Sequence, residues 1–157
     1  MRVFHGTAEI RAKKIEKENI IKGTTDETVV HNTNNNITDT TRGYIYLATD
    51  EEACKFFAAS SLNRMQYDGE TSSNIICIYE LEIDDNRLEC DYDQCKIVKD
   101  MNCNNCLNED ADCNIKDCIK YIRAVRVKGD IDLIENLIAK KTYTKHECTD
   151  IKYYYKK

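Results

Sequence analysis

The chain of 157 residues has the length of one domain, and its 41% hydrophobic content is enough to bury a core without disulfide or metal staples. Its formal charge of -5 argues against non-specific nucleic-acid binding, which needs a cationic surface, although 23 Lys and Arg leave room for a local basic patch. No stretch has the length and apolarity of a bilayer span, and the start, Met1 to Gly6, has no apolar signal region, so the expected location is cytoplasmic, in a bacterium or in a host cell that receives the protein.

Arg2 to His5 reads as a short strand, Gly6-Thr7 as a turn, and Thr7 as the N-cap of a helix from Ala8 to about Glu18. In that helix Ile10 and Ile15 are expected to face inward, with Lys and Glu outside, and Gly23 to end the unit. Thr24 to Thr41 is polar and rich in Thr and Asn, a long loop of the kind that often carries function. Gly43 opens a strand over Tyr44 to Ala48. Thr49 and Glu52 have the spacing of a capping box. The helix they start carries Ala53, Phe56 and Phe57 as an apolar stripe bound for the core.

Asn74 to Ile83 is the strongest strand, and its near-continuous apolar run predicts burial on both faces. Asp84-Asp85-Asn86 is a turn. Residues 90–118, acidic and dense in cysteine, read as an insertion within a single domain spanning 1–157. Tyr121 to Lys128 returns as a strand. Asp130 or Asp132 caps a last helix carrying Leu133, Ile134, Leu137 and Ile138, and Ile151 to Tyr155 forms a last strand. Helices and strands are partly segregated, which predicts an α+β fold. No G-x-G-x-x-G is present, so a Rossmann dinucleotide site has no support.

Nine cysteines are many for a chain with no secretion signal, and reduced thiols or metal ligands are expected before a disulfide framework. Cys103-x2-Cys106 followed by Cys113-x4-Cys118 can supply four thiolates to a structural zinc, with Cys90 and Cys95 as further ligand candidates. The alternative is a set of free thiols that reflects composition.

Three segments together carry a family signal: Phe4-His5-Gly6-Thr7, Gly43-Tyr44-Ile45-Tyr46-Leu47-Ala48-Thr49-Asp50, and Ala53 with Phe56-Phe57-Ala58. Each has a plain reading. His5 alone reads as a strand-end histidine, and tyrosines are common in strands by propensity. In combination and at this spacing they resemble the front half of ADP-ribosyltransferases of the His-Tyr class. Ile78 to Glu82 followed by Cys90-Asp91-Tyr92-Asp93 is similar to the strand and acidic turn of the rifampicin-modifying group, and Arg126 to Ile131 to the closing strand of small members.

The resemblance implies an ADP-ribosyltransferase-like split β-sandwich with flanking helices, NAD as cofactor, and release of nicotinamide. It implies NAD contacts from His5, Gly6, Thr7, Tyr44 and Tyr46, with His5 on a ribose hydroxyl and the Tyr46 ring against nicotinamide. Glycosidic cleavage builds positive charge on the ribose, as in glycoside hydrolysis, so a carboxylate is expected at a third catalytic position. Asp91 and Asp93 are the first candidates, then Glu82 of the Glu80-x-Glu82 pair, then Asp130. The acceptor of first expectation is a protein, with a role in conflict between phage and bacterium as toxin or as inhibitor of host defence such as CRISPR; small-molecule and nucleic-acid acceptors stay open. The alternative from another class is a non-catalytic module that binds a partner or nucleotide on the same fold. RNA 2′-phosphate transfer ranks low, because that family carries an extra N-terminal domain.

Overall fold

A computed structural model describes residues 1–25, 41–95 and 113–149. Its centre is a mixed-length antiparallel sheet in the order β5-β6-β3-β1-β4-β8, comprising β1 (Arg2–Ala8), β3 (Tyr44–Ala48), β4 (Ile75–Glu82), β5 (Leu88–Cys90), β6 (Ala124–Lys128) and β8 (Leu137–Thr144). A two-stranded ribbon pairs β2 (Ile20–Ile21) with β7 (Ile131–Asp132). The molecule is thus α+β with an antiparallel sheet.

Side chains alternate across a strand, so a central strand must satisfy two faces. In β4 the residues Cys77, Tyr79 and Leu81 join Val3, Ile45, Leu47, Val125 and Val127 on one face, where Ala12 of helix α1 (Glu9–Glu18) packs. Ile76 and Ile78 point the other way, onto Ala53, Ala58 and Leu62 of helix α2 (Glu51–Tyr67). One helix on each face explains why β4 is buried on both faces and its Ile75–Tyr79 run is apolar rather than alternating. Tyr79, 1% exposed, places its hydroxyl 3.3 Å from the Ala12 carbonyl and 3.1 Å from a Glu16 oxygen, which satisfies the phenol at the α1 contact.

Several local expectations are corrected. β1 does not turn at Gly6-Thr7 but continues to Ala8, because β4 supplies partners along its whole length, from Arg2↔Glu82 to Ala8↔Ile76. Thr7 is therefore a strand residue opposite Cys77, and Ala8 stands at the N-cap of α1 without a side-chain cap. Ile10 is 51% exposed, while Ile15 packs on the core as expected. α1 ends at Asn19 in the left-handed region (φ 54°), before Gly23 is reached. The cap of α2 is Asp50, whose carboxylate accepts the Ala53 N–H at 3.0 Å, in place of the Thr49/Glu52 box. Phe56 and Phe57 are half-buried; Ala53, Cys54, Ala58, Ala59, Leu62 and Met65 form the buried face.

The largest correction lies near the C-terminus. Asp132 caps a helix, but that helix (α4, Leu133–Asn136, following the short α3 at Ile115–Asp117) lasts four residues. Leu137 to Thr144 then form β8, an eight-residue strand on the free edge of β4. Ile134, Leu137 and Ile138 are exposed rather than inward. β4 has an outer row of backbone donors and acceptors to satisfy, and β8 supplies it; Lys140 and Lys141 then guard the new edge. A further helix, α5 (Lys145–Thr149), packs Cys148 against the α2 side of the core. The expected strand at Ile151 to Tyr155 lies outside the described residues, as does most of the Thr24 to Thr41 loop.

Candidate functional site

The sheet opens at the junction of β1 and β3. β1 stays paired to β4 throughout but meets β3 at the single pair Phe4↔Ala48. β3 runs instead with β6, from Tyr44↔Lys128 to Ala48↔Ala124. The two halves part beside His5, and a cavity of about 1120 Å³ lies there, with His5, Gly6, Thr7, Tyr46, Asp91 and Asp93 in its lining. Three places far apart in sequence and expected to act together, His5, Tyr46 and the Asp91/Asp93 turn, are thus brought to one space.

His5 is half-buried on β1, and its Nδ1 lies 3.3 Å from the Tyr46 carbonyl. A carbonyl only accepts, so Nδ1 carries the proton and Nε2 is the acceptor of a neutral ring. Burial lowers the His5 pKa below its ordinary value; the Tyr46 carbonyl opposes that shift and the Arg11 charge adds to it.

The Tyr46 hydroxyl donates to the Asp93 carboxylate, and the Thr41 carbonyl lies 3.1 Å away. Asp93 also accepts the Thr41 N–H and the Thr41 hydroxyl, each at 2.8 Å. Burial pushes the Asp93 carboxyl upward, but the Thr41 and Tyr46 hydrogen bonds outweigh it and leave the pKa below the usual range. Burial is also the main cause of the raised Tyr46 pKa, with Asp93 adding to it.

Asp91 follows β5 and is 5% exposed. It caps the helical turn at 92–95, accepting the Gln94 N–H at 2.9 Å. Burial raises its pKa to about 6; the Gln94 N–H and Arg126 pull it down, and Asp93 pushes it up. The Asp-x-Asp acidic turn is therefore two different groups. Asp91 is a buried carboxylate at low dielectric, and Asp93 is a hydrogen-bonded one held to Tyr46 and Thr41.

Gly6 lines the cavity, but its missing side chain is required by packing. A Cβ there would lie 2.7 Å from the Ala58 Cβ and 2.9 Å from the Cys54 Sγ, both on α2. The expected reason for this glycine, close backbone approach to a ligand, is joined by a structural one: β1 crosses α2 in near contact.

Other candidates lie elsewhere. Glu82 is outside the cavity lining, at the far end of β4, where its carboxylate holds the Met1 amino group at 2.9 Å. Glu80 is buried and paired with Arg2. Asp130 accepts the Gly23 N–H at 3.0 Å. Tyr44 shares the Tyr46 face of β3, but its ring lies under the Arg126 guanidinium, 3.9 Å from Cζ to ring centroid, and it is not in the cavity lining.

Arg126 was not legible as a site residue. β6 sets it opposite Tyr46 on one side and Glu89 on the other. It is 7% exposed, with Tyr44 and Tyr92 rings against it, and its Nε has no hydrogen-bond partner among the described residues. Only strand register brings it beside Asp91. Arg11, Lys14 and Arg64 add positive charge to the cavity lining, with Arg11 also 3.3 Å from Glu70 and Arg64 2.6 Å from Asp68. The α1 pattern shows Arg11 and Lys14 only as part of an outer polar face.

The cysteines gather behind the acidic turn. The sulfurs of Cys90 and Cys118, and those of Cys95 and Cys113, are near enough to pair as two disulfides, and the Sγ atoms of Cys90, Cys95 and Cys113 lie within 4.8 Å of one another, a group able to hold a metal ion. Cys113 and Cys118 of the expected zinc set are thus beside Cys90 and Cys95; Cys103 and Cys106 lie outside the described residues.

No protein-family model matches the chain, and neither the curated proteins nor the solved structures contain a match. No helix among the described residues is long and apolar enough to cross a membrane.

Proposed function

We propose that the protein is an NAD-dependent ADP-ribosyltransferase whose active site is the cavity between β1 and β3. The observation that carries this reading is the meeting of His5, Tyr46, Asp91 and Asp93 in the cavity where β1 and β3 part. A parted antiparallel sheet is what a split β-sandwich requires, and these residue types are those that the family resemblance assigns to NAD and to the charge of the transition state.

The residues present fit the dinucleotide. The cavity of about 1120 Å³ slightly exceeds the usual size of small-molecule and cofactor sites, about 300–1,000 Å³, and so has room for a dinucleotide. Arg11, Lys14 and Arg64 offer positive charge for a pyrophosphate. The neutral His5 ring, held by the Tyr46 carbonyl, presents Nε2 as an acceptor for a ribose hydroxyl. The Tyr46 ring is fixed by the bond from its own hydroxyl to Asp93, so it offers a stacking face already ordered before binding. NAD, when bound, supplies an ADP-ribosyl group attached to a nicotinamide leaving group. The chain supplies a buried carboxylate, Asp91, whose charge is strong in a low-dielectric setting. A protein acceptor remains the favoured partner, since the formal charge of -5 disfavours a nucleic acid.

Nicotinamide release by the purified protein, alone and with lysate of candidate host cells, tests the reading. The expected result is lysate-dependent release that disappears in His5→Ala and in Tyr46→Ala. Absence of release together with absence of NAD binding by calorimetry overturns it and favours a partner-binding module.

A further inference from the structure

Cys90, Cys95, Cys113 and Cys118 form two segments of equal spacing, Cys90-x4-Cys95 and Cys113-x4-Cys118. Each segment holds a helical turn, at 92–95 in the first and at Ile115–Asp117, running into Cys118–Ile122, in the second. The segments face each other crosswise: Cys90 meets Cys118, with Cα atoms 5.8 Å apart, and Cys95 meets Cys113, with Cα atoms 6.5 Å apart.

We propose that these four cysteines bind one structural zinc ion as thiolates, and that the zinc clamps the turn carrying Asp91 and Asp93. Three observations favour the metal over two disulfides. First, three of the four sulfurs gather as one group that spans both pairs, and Cys118 adjoins that group through Cys90. Cys90, from one pair, and Cys95 and Cys113, from the other, have Sγ atoms within 4.8 Å of one another. A disulfide needs proximity only within itself, whereas a tetrahedral Zn–S₄ centre with bonds of about 2.3 Å sets every sulfur about 3.8 Å from the other three. Second, Cys54, Cys77 and Cys148 are buried free thiols. A chain that keeps thiols reduced fits a reducing compartment, where structural disulfides do not persist. Third, the surroundings are dry and small. Cys90, Cys95 and Cys118 are almost fully buried, in a cluster completed by Ile122 and Ala124. So thin an apolar cluster gains most from a covalent or metal staple.

The ligands bracket the site residues. Cys90 immediately precedes Asp91, and Cys95 immediately follows Gln94. Fixing both ends of a four-residue turn fixes the Asp91 cap and the Asp93 contacts to Thr41 and Tyr46. Binding displaces the thiol protons to solvent, so affinity falls at acid pH. The assignment is independent of the transferase reading, because the ligands are not in the cavity lining.

The test uses the full chain purified under reducing conditions, with elemental analysis, thiol titration and replacement of the native ion by cobalt(II). The expected result is about one zinc per chain, and a cobalt form with the intense thiolate charge-transfer and visible bands of a tetrahedral S₄ centre. Cys90→Ser and Cys118→Ser are expected to lose at least about nine-tenths of the bound metal, and Cys103→Ser/Cys106→Ser to keep it. A metal-free reduced protein overturns the proposal. So do peptide maps of freshly isolated protein showing Cys90–Cys118 and Cys95–Cys113 disulfides. Loss of metal in Cys103→Ser/Cys106→Ser overturns the ligand assignment. If a serine variant fails to fold, the cobalt spectrum of the unaltered chain decides alone.

Discussion

The Tyr46 hydroxyl donates to the Asp93 carboxylate, tying the central strand β3 to the turn after β5. This bond orders an aromatic face in the cavity and spends part of the Asp93 acceptor capacity. Tyr46→Phe removes the bond but keeps the ring. Its expected cost is about 1.5–3 kcal/mol of stability in urea denaturation, as for a hydrogen bond to a charged group. NAD affinity by calorimetry should then change less than about threefold in Tyr46→Phe but fall about tenfold in Tyr46→Ala, the worth of a lost stacking face. Equal losses in both variants would move the role from the ring to the hydroxyl.

Asp91 and Asp93 are separable by substitution. Asp93 has its carboxylate engaged by Thr41 and Tyr46, so it is expected to position Tyr46. Asp91 is buried, which raises its pKa to about 6, and above that pH its carboxylate charge acts at low dielectric. Asp91→Asn, which retains an oxygen for the Gln94 N–H, should lower the rate of nicotinamide release about 10²- to 10³-fold, and Asp93→Asn about tenfold. The reverse ranking would assign the third catalytic position to Asp93.

Gly6→Ala tests the contact of β1 with α2. The added Cβ would meet Ala58 at 2.7 Å and the Cys54 carbonyl at 3.2 Å, and backbone cannot swing aside as a side chain does. Overpacking of this kind costs about 1–3 kcal/mol. Thermal unfolding should show the loss, and Ala58→Gly in the same chain should recover part of it. An unaltered melting temperature in Gly6→Ala would mean that β1 and α2 are not packed as described.

Glu51 gives a pH dependence of defined sign. It joins the first turn of α2 to β8 through Lys141 at 2.6 Å and the Tyr143 hydroxyl, with Lys55 at 3.4 Å. Burial pushes its carboxyl upward, but Lys141, Tyr143 and Lys55 outweigh that and hold its pKa at about 2, against 4.5 ordinarily. The folded value is the lower one, so this contribution is fully present above about pH 4.5 and is lost as pH falls toward 2. Glu51→Gln should cost about 1 kcal/mol at pH 7, after allowance for solvent screening, and almost nothing near pH 2. A cost independent of pH would show that packing, not charge, is what Glu51 contributes.

Local signals in the sequence determined the apolar strand at Ile75–Glu82, the strand at Tyr44–Ala48 and the two long helices, because hydrophobic period and length are properties of consecutive residues. They also singled out His5, Tyr46, Asp91 and Asp93, since residue type and neighbouring motif are local facts. What the chain order could not state is pairing. β8 hid inside a helical reading because Leu133, Ile134, Leu137 and Ile138 repeat at helical spacing, and only the unfilled edge of β4 makes the last two a strand. Glu82 fell away from the site because β4 carries it to the Met1 end of the sheet. Arg126 came in because register sets it opposite Tyr46. The tertiary structure alone decided that β1 and β3 share one residue pair and then part, which turns two strand-borne motifs into the walls of one cavity.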